Sequence, residues 1–398
     1  MMIERIKISL IRLPFRVAYG HKQKTHKDVF AVICQVQDSN GHYGLGEAIP
    51  RPYVTGETPD STFKDARALG KRVIGKTFQS YDDIQKTILS LSKEWTSRFP
   101  SCAFCCIDLA LHDCLARHQN KDMGTYLEAK TKPFSYTASI GLCNKTKLLA
   151  LLSLYRLSGI GSFKLKVGDE HDSYRLRTIK NFMGQDAPVF ADANGAWSTD
   201  EAPGKIEALA KSGIWAIEEP LRIPMPPNAE TDAQQNRDAA MPKGHFEQYA
   251  SLRQKISVPV ILDESLISPK SYEKIIAHNA ADILNIRLSK LGGYTLVSKM
   301  LEDKPDTMKF SLGAMVGESP VLAAAGYFFG CAYPDHLYIQ GYSHRILHSK
   351  NFVSGGPVMA RGKVFLSDPS KAGLGLAIKP DILKTLIIKE EVLSNEKI

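Results

Sequence analysis

Short apolar runs recur between residues 134 and 342, with helix-like stretches between them. The candidate strands are FSYTASIG (134–141), SFKLKVG (162–168), PVFADAN (188–194) and GIWAIEEP (213–220). Four more follow: PVILDES (259–265), ADILNIRLS (281–289), MKFSLGAM (308–315) and HLYIQGY (336–342). Most are rich in Val, Ile, Leu and Phe, as strands covered on both faces require. The intervening stretches have helical patterning: TKLLALLSLYRLSG after the first run, DSYRLRTIKNFMG after the second and STDEAPGKIEALAKSG after the third. SPKSYEKIIAHNA follows the fifth and GGYTLVSKMLED the sixth. Eight strands alternating with helices over roughly 210 residues match a (β/α)8 TIM-type barrel. A doubly wound open sheet normally has fewer strands and a Gly-rich phosphate loop after its first strand; no such loop appears.

The first 130 residues are patterned differently. IERIKISLIRLPF and DVFAVICQVQD alternate like antiparallel strands, and DSNG (38–41) turns the second into HYGLGEAIP. Helical patterns follow in STFKDARALGKRVIG, YDDIQKTILSLSKEW and FPSCAFCCIDLALHDCLARHQ. The expected organisation is an α+β domain at 1–130 placed ahead of a barrel at 131–365. A C-terminal segment, 366–398, returns to that first domain. Val17–Asp28 and Pro50–Thr58 are expected to be mobile loops, the second irregular and exposed because PRPYVTGETP is rich in Pro, Gly and Thr.

Charged residues sit at the ends of several barrel runs. Asp192 ends VFAD, Glu218 ends IWAIE and Asp263 ends VILD; Lys164 and Lys166 lie in SFKLKVG. In a β/α barrel the C-terminal ends of the strands build the site. Three carboxylates there point to a hard divalent cation such as Mg²⁺. Side chains alternate along a strand, so Lys164 and Lys166 share one face and Phe163, Leu165 and Val167 the other. Two lysines facing one cavity suggest proton transfer beside that metal. The same parity places Asn285, Arg287 and Ser289 on one face of LNIRLS. An acid at a strand end is often only the N-cap of the next helix. Three at successive strand ends, preceded by a lysine pair, outweigh that reading.

Composition changes the picture little. The chain has 398 residues, 43% hydrophobic and 23% charged, as an ordinary globular protein has. A net charge of +9 raises the question of nucleic acid. The basic residues are spread out, with no dense run and no interleaved aromatics, which argues against that partner. A mild basic bias suits an anionic small molecule. The N-terminus is not patterned as a signal peptide, and the longest apolar stretch, around Val321–Tyr333, is too short to span a bilayer. A cytoplasmic homo-oligomer is expected. Of seven cysteines, Cys102, Cys105, Cys106 and Cys114 crowd into CAFCCIDLALHDC. Helical periodicity points Cys105 and Cys106 in different directions, so packing as small buried residues is favoured over a metal cluster. His112 and Asp113 on the same helix are read as structural.

The ordered set KLK, DAN, EEP, DES, NIRLSKLGG and a late GES resembles the enolase superfamily, and within it the muconate lactonizing enzyme subgroup. That subgroup includes muconate cycloisomerases, o-succinylbenzoate synthases, N-acylamino acid racemases and dipeptide epimerases. The resemblance extends over nearly the whole chain. It implies that Asp192, Glu218 and Asp263 bind Mg²⁺, with Lys166 as base and Lys164 its paired lysine. A lysine base beside Mg²⁺ is the arrangement for which this superfamily is itself the standing example. Glu318 is implied near the substrate, and segments 17–28 and 50–58, with Tyr53 and Thr55, as loops that close over it. The chemistry has its own physical case. Removing a proton next to a carboxylate leaves a dianionic enediolate, whose formation needs concentrated positive charge.

Three features depart from the subgroup's pattern. Its second catalytic lysine usually ends the sixth barrel strand; here Arg287 stands there, and Lys290 matches a later lysine of the pattern. A guanidinium stays protonated, so it is a poor base but a permanent cation. Secondly, 45 residues separate Glu218 from Asp263, against 26 between Lys166 and Asp192, and the excess falls in a polar insertion at 222–247. Thirdly, HLYIQGYSH lacks the acidic D-x-D pattern with which dipeptide epimerases bind an amino terminus. The expected activity is therefore a one-base lyase or isomerase acting on a small-molecule carboxylate, by cycloisomerisation or β-elimination. An N-acylamino acid racemase or dipeptide epimerase is the first alternative, and a non-catalytic carboxylate-binding protein the second.

Overall fold

Seven parallel strands form one curved sheet in the computed structural model, which describes residues 1–21, 24–95, 98–222, 241–342, 344–366 and 368–395. In barrel order they are Thr137–Ile140, Ser162–Lys166, Val189–Asp192, Ile217–Glu218, Val260–Leu262, Ile283–Ile286 and Lys309–Leu312. The eighth run, HLYIQGY, closes the cylinder. Thr137 N–H donates to the Ile339 carbonyl at 3.1 Å, and Gln340 N–H to the Leu312 carbonyl at 2.8 Å. Ile339 thus bridges both edges of the sheet, to Tyr136 and to Leu312. The chain therefore folds as a TIM-type barrel with an antiparallel cap.

The outward faces of the strands pack under helices that begin at named caps. Asn144 caps Lys145–Leu157 through the Lys147 N–H at 3.0 Å, and Ser268 closes a capping box with Ser271 over Pro269–His278. Each such cap contributes about 1 kcal/mol. Inside the cylinder the parity is sorted by depth. Phe190, Ala216, Ile261, Ile283 and Tyr338 fill one apolar layer, with Tyr338 stacked on Phe190 at 4.5 Å between centroids. Two residues further along four of these strands stand Asp192, Glu218, Asp263 and Asn285, on the same face and one layer nearer the C-terminal mouth.

A four-stranded antiparallel sheet covers that mouth. Its order is Ile387–Ser394, Ile3–His21, Lys24–Asp38, Tyr43–Ala48, so the last strand of the chain pairs with the first. The helix Ser101–His118 lies directly on Tyr43–Ala48. A Cβ at Gly46 would come within 1.9 Å of the Cys106 carbonyl oxygen, and one at Gly44 within 2.2 Å of Ala110 O. That close approach explains the small residues of CAFCCIDLALHDC. The four cysteines are free and fully buried, and burial pushes their thiols up. His112 hydrogen-bonds Tyr126 OH at 2.8 Å, and Asp113 accepts the Leu45 and Leu374 N–H groups, both structural roles. Among the described residues no helix is long and apolar enough to cross a membrane.

Two expected loops are more ordered than their composition implies. Residues 17–21 and 24–28 extend the first hairpin, with Tyr19 paired to His26 and His21 to Lys24 after an irregularity at Pro14; residues 22 and 23 lie outside the described residues. Pro50–Thr58 is mostly buried and contains the one-turn helix Pro52–Thr55, stopped by Gly56 at φ 76°. Buried charge organises it. The Glu57 carboxylate accepts Ser101 Oγ at 2.9 Å and Cys102 N–H at 3.0 Å at a helix N-terminus. Arg51 donates to the Val316 carbonyl at 2.7 Å, across the domain junction. Most of the 222–247 insertion, residues 223–240, lies outside the described residues.

Candidate active site

Strand register sets the site. Lys166, Asp192 and Glu218 are direct neighbours across the second, third and fourth barrel strands. Lys164 is buried in the lumen, its Nζ 2.7 Å from Glu218 Oε1 and 2.8 Å from Asp192 Oδ2. Burial opposes its charge, but Asp192 and Glu218 together hold its ammonium firmly protonated. Lys166 stands one layer higher and more exposed, with Nζ 3.2 Å from Asp192 Oδ2 and in contact with Asn194 Oδ1. Burial pulls the Asp192 carboxyl up, yet the two ammoniums keep it well below the usual carboxylate range. Phe163, Leu165 and Val167 are buried on the opposite face, as the alternation requires.

The EEP and DES doublets divide their labour. Glu218 faces the lumen. Glu219, twisted to φ 42°, turns into the wall, where it accepts Tyr249 OH at 2.9 Å, Asp263 N–H at 2.9 Å and Ser265 Oγ. Burial pushes its carboxyl up to about 7. Asp263 receives Lys290 Nζ at 2.6 Å on Oδ1 and the Arg287 guanidinium on Oδ2. Lys290 is fully buried and also bonds the Asp263 and Asn285 carbonyls, so it braces Asp263 from behind and does not reach the lumen.

Glu264 is a site residue that the strand-end pattern missed. One carboxylate oxygen each from Glu218, Asp263 and Glu264 lie within 4.8 Å of one another. Asn194 Nδ2 donates to Glu264 Oε1 at 3.0 Å. Burial raises the Glu264 carboxyl to about 7, helped by Asp192, Glu219 and Glu218 and opposed by Lys166. Lys164, Lys166, Arg287 and Lys290 pair with Asp192, Glu218 and Asp263, so these three carboxylates are balanced by cations of the chain itself. Asn285 was placed on the lumen face by parity; its Nδ2 donates to Glu218 Oε1 at 3.0 Å. Gly313 makes room for it, since a Cβ there would lie 2.3 Å from Asn285 Oδ1.

The sixth and seventh strands complete the mouth. Arg287 follows Ile283–Ile286, and strands two and six face each other across an eight-stranded cylinder, so Arg287 lies opposite Lys166. Glu318 stands in the loop after Lys309–Leu312, its Oε1 accepting Met315 N–H at 2.6 Å. Burial raises its carboxyl to about 8, Glu47 adding to the shift while Met315 N–H and Arg287 oppose it. Ser289 departs from the parity expectation. The strand stops at Ile286, Ser289 enters the one-turn helix Leu288–Leu291, and its Oγ accepts Ile49 N–H at 2.9 Å from the cap. Tyr53 is partly buried against the core, and Thr55 is buried at the end of its turn. Neither hydrogen-bonds a lumen carboxylate among the described residues. Glu47 of the cap accepts Ser319 N–H, Ser319 Oγ and Leu322 N–H at 2.6–3.0 Å, which pins the helix Pro320–Ala332 directly after Glu318.

Comparison with known proteins gives the family and the fold. Residues 147–233 and 239–382, more than half of the chain, match the family model described as enolase C-terminal domain-like. The N-succinyl-L-Arg/Lys racemase of Bacillus cereus is 24% identical, over 99% of this chain and 100% of that one. Muconate cycloisomerase 1 of Rhodococcus opacus is 27% identical over 70% of each chain. The crystal structure of the dipeptide epimerase from Cytophaga hutchinsonii, complexed with Mg and the dipeptide D-Ala-L-Val, superposes with a TM-score of 0.81 at 22% identity, covering 99% of this chain and all of that one.

Proposed function

The chain belongs to the enolase superfamily and, within it, to the muconate lactonizing enzyme-like group of enzymes, and from that premise we infer that it removes a proton α to a carboxylate with Lys166 as the base. The donor set fits Mg²⁺. It offers carboxylate oxygens alone, and Glu218 Oε2 and Glu264 Oε2 are buried without a hydrogen-bond partner among the described residues. Asp192, Glu218 and Asp263 would hold the ion, with Glu264 beside them. Bound there, Mg²⁺ supplies positive charge to the substrate's carboxylate oxygens. The side chains do the rest. Lys166 takes the α-proton from one face, Lys164 bridges Asp192 and Glu218, and Arg287 places a fixed positive charge on the other face.

The observation that carries this reading is the asymmetry of the mouth: a lysine on strand two and a guanidinium on strand six. One proton carrier suits a one-base isomerase or lyase. A second reading, racemisation, is favoured by the names of the relatives, a racemase and several epimerases. Under it the substrate is an N-acylated amino acid in preference to a free dipeptide. Gln340 and Tyr342 stand on the eighth run where an acidic pair would hold an ammonium group.

The experiment is a screen in D₂O with Mg²⁺ over N-acylamino acids, dipeptides and other carboxylates, reading α-deuteration by mass and configuration by chiral separation. Deuteration with retention, or loss of a β-substituent, supports the one-base reading. Interconversion of D and L supports racemisation, and no exchange with any compound favours a binding protein. Metal dependence is checked separately. Asp192→Asn and Asp263→Asn should each weaken Mg²⁺ binding in calorimetry by on the order of 100-fold, since even outer-shell partners are worth 10–100-fold. Unchanged affinity in both variants rules the ligand assignment out.

A further inference from the structure

Far from the barrel mouth, three metal-ligating side chains meet at one corner of the cap. Asp38 ends the strand Lys24–Asp38, His42 follows the DSNG turn, and His118 is the last residue of the helix Ser101–His118. One donor atom from each lies within 4.8 Å of the others. Asp38 is fully buried, while the side chains of His42 and His118 are 41% and 27% exposed. Asp38 Oδ1 accepts the backbone N–H groups of Asn40 at 3.0 Å and His42 at 2.8 Å. The turn itself therefore fixes the carboxylate's orientation. Its Oδ2 faces both imidazoles, 3.2 Å from His42 Nδ1 and 2.6 Å from His118 Nδ1. The rings meet edge-on at 5.5 Å.

We propose that Asp38, His42 and His118 form a second metal site, selective for a borderline divalent cation of the Zn²⁺ class, that ties the DSNG turn to the end of the helix. Two imidazoles and one carboxylate are a donor set that Zn²⁺ accepts and that suits Mg²⁺ poorly. The carboxylates of the barrel have the reverse preference, so the two sites draw different ions. The spacing is close to what a tetrahedral ion needs. Bonds of about 2.0–2.2 Å place neighbouring ligand atoms roughly 3.3 Å apart. The His42 contact is already at that separation. The His118 contact must open by about 0.7 Å, and that side chain is 27% exposed.

The local field favours a cation. His118 sits at a helix C-terminus, where unpaired carbonyls carry partial negative charge. Arg117, the adjacent cation, is turned away to Asp113 at 3.1 Å and the Leu376 carbonyl at 2.8 Å. Without metal, an Nδ1–H of each imidazole can donate to Asp38 Oδ2; when the ion takes Nδ1, each neutral ring carries its one proton on Nε2 instead. Three protein ligands leave a fourth position for water.

The test uses the full-length protein in excess Mg²⁺, titrated with Zn²⁺ against a chromophoric chelator. Bound metal is counted by mass spectrometry. One Zn²⁺ per chain is expected, lost in His42→Ala and in His118→Ala with affinity falling by on the order of 100-fold. It should be retained in Asp263→Asn, which separates it from the barrel carboxylates. Mg²⁺-dependent α-proton exchange should be the same in the two histidine variants as in the parent. ¹⁵N-histidine NMR of the unmutated chain gives a reading that no folding defect can obscure: Zn²⁺ should move the ring nitrogens of His42 and His118. Equal Zn²⁺ content in the parent and both histidine variants, or unmoved ring signals, overturns the proposal.

Discussion

Lys166→Ala should abolish α-proton exchange, by on the order of 10³-fold or more, while Mg²⁺ binds at least as tightly as before. A positioned general base is typically worth 10²–10⁴-fold. The metal half of the expectation follows from geometry. Lys166 Nζ is 3.2 Å from Asp192 Oδ2, so its ammonium competes with a cation for that carboxylate. Removing it deletes a like charge and leaves every carboxylate in place. Lys164→Ala should behave differently. Lys164 is buried against two carboxylates at 2.7–2.8 Å, and its loss strands both in a low-dielectric lumen. That variant should lose thermal stability as well as activity. Calorimetry with Mg²⁺, melting curves and deuterium incorporation separate the two cases. Exchange at the parent rate in Lys166→Ala would mean that another group is the base.

The charged strand ends were legible because a buried parallel strand has few reasons to carry charge. Lys164, Lys166, Asp192, Glu218, Asp263, Asn285 and Arg287 could all be picked out as charged or polar groups on lumen-facing strands. Parity gave Lys164 and Lys166 a common face and put Asn285 on a polar, lumen-facing one; that Glu219 turns into the wall beside Glu218 was not read from it. It failed past the ends of the strands, where the chain leaves the pleat. Ser289 falls after the strand has become a helical turn, and Glu264 and Asn194 lie in loops. Asn194, at φ 44°, swings its amide between Lys166 and Glu264. The helix that covers the first sheet was misleading only by composition. Its cysteines look like chemistry, but Gly44 and Gly46 bring the strand so close that only small side chains fit beneath it. The cap loops were harder to read because their order comes from partners far along the chain. Ile49 is held by Ser289 and Arg51 by Val316, contacts spanning 240 and 265 residues. No local propensity encodes such contacts, so a Pro- and Gly-rich stretch reads as mobile when it is tied down.

Arg287 decides between the two readings of the reaction. It caps the sixth strand opposite Lys166, with its guanidinium on Asp263 and 3.7 Å from Met315 Sδ. A guanidinium can stabilise the developing enediolate but stays protonated at ordinary pH, so it cannot accept the α-proton. Arg287→Ala should therefore slow exchange by on the order of 10²-fold, the loss expected for one preorganised donor, without changing which stereoisomer reacts. Arg287→Lys restores an exchangeable ammonium on that face and should introduce slow interconversion of D and L forms where the parent shows retention. The measurement is chiral analysis of each enantiomer after incubation in D₂O. Efficient racemisation by the parent chain would refute the one-base reading. The proton on that face must then come through Arg287 or through a neighbour that it positions, and Glu318, whose raised carboxyl lies within the reach of Arg287's charge, is the group in the loop beside it able to carry one.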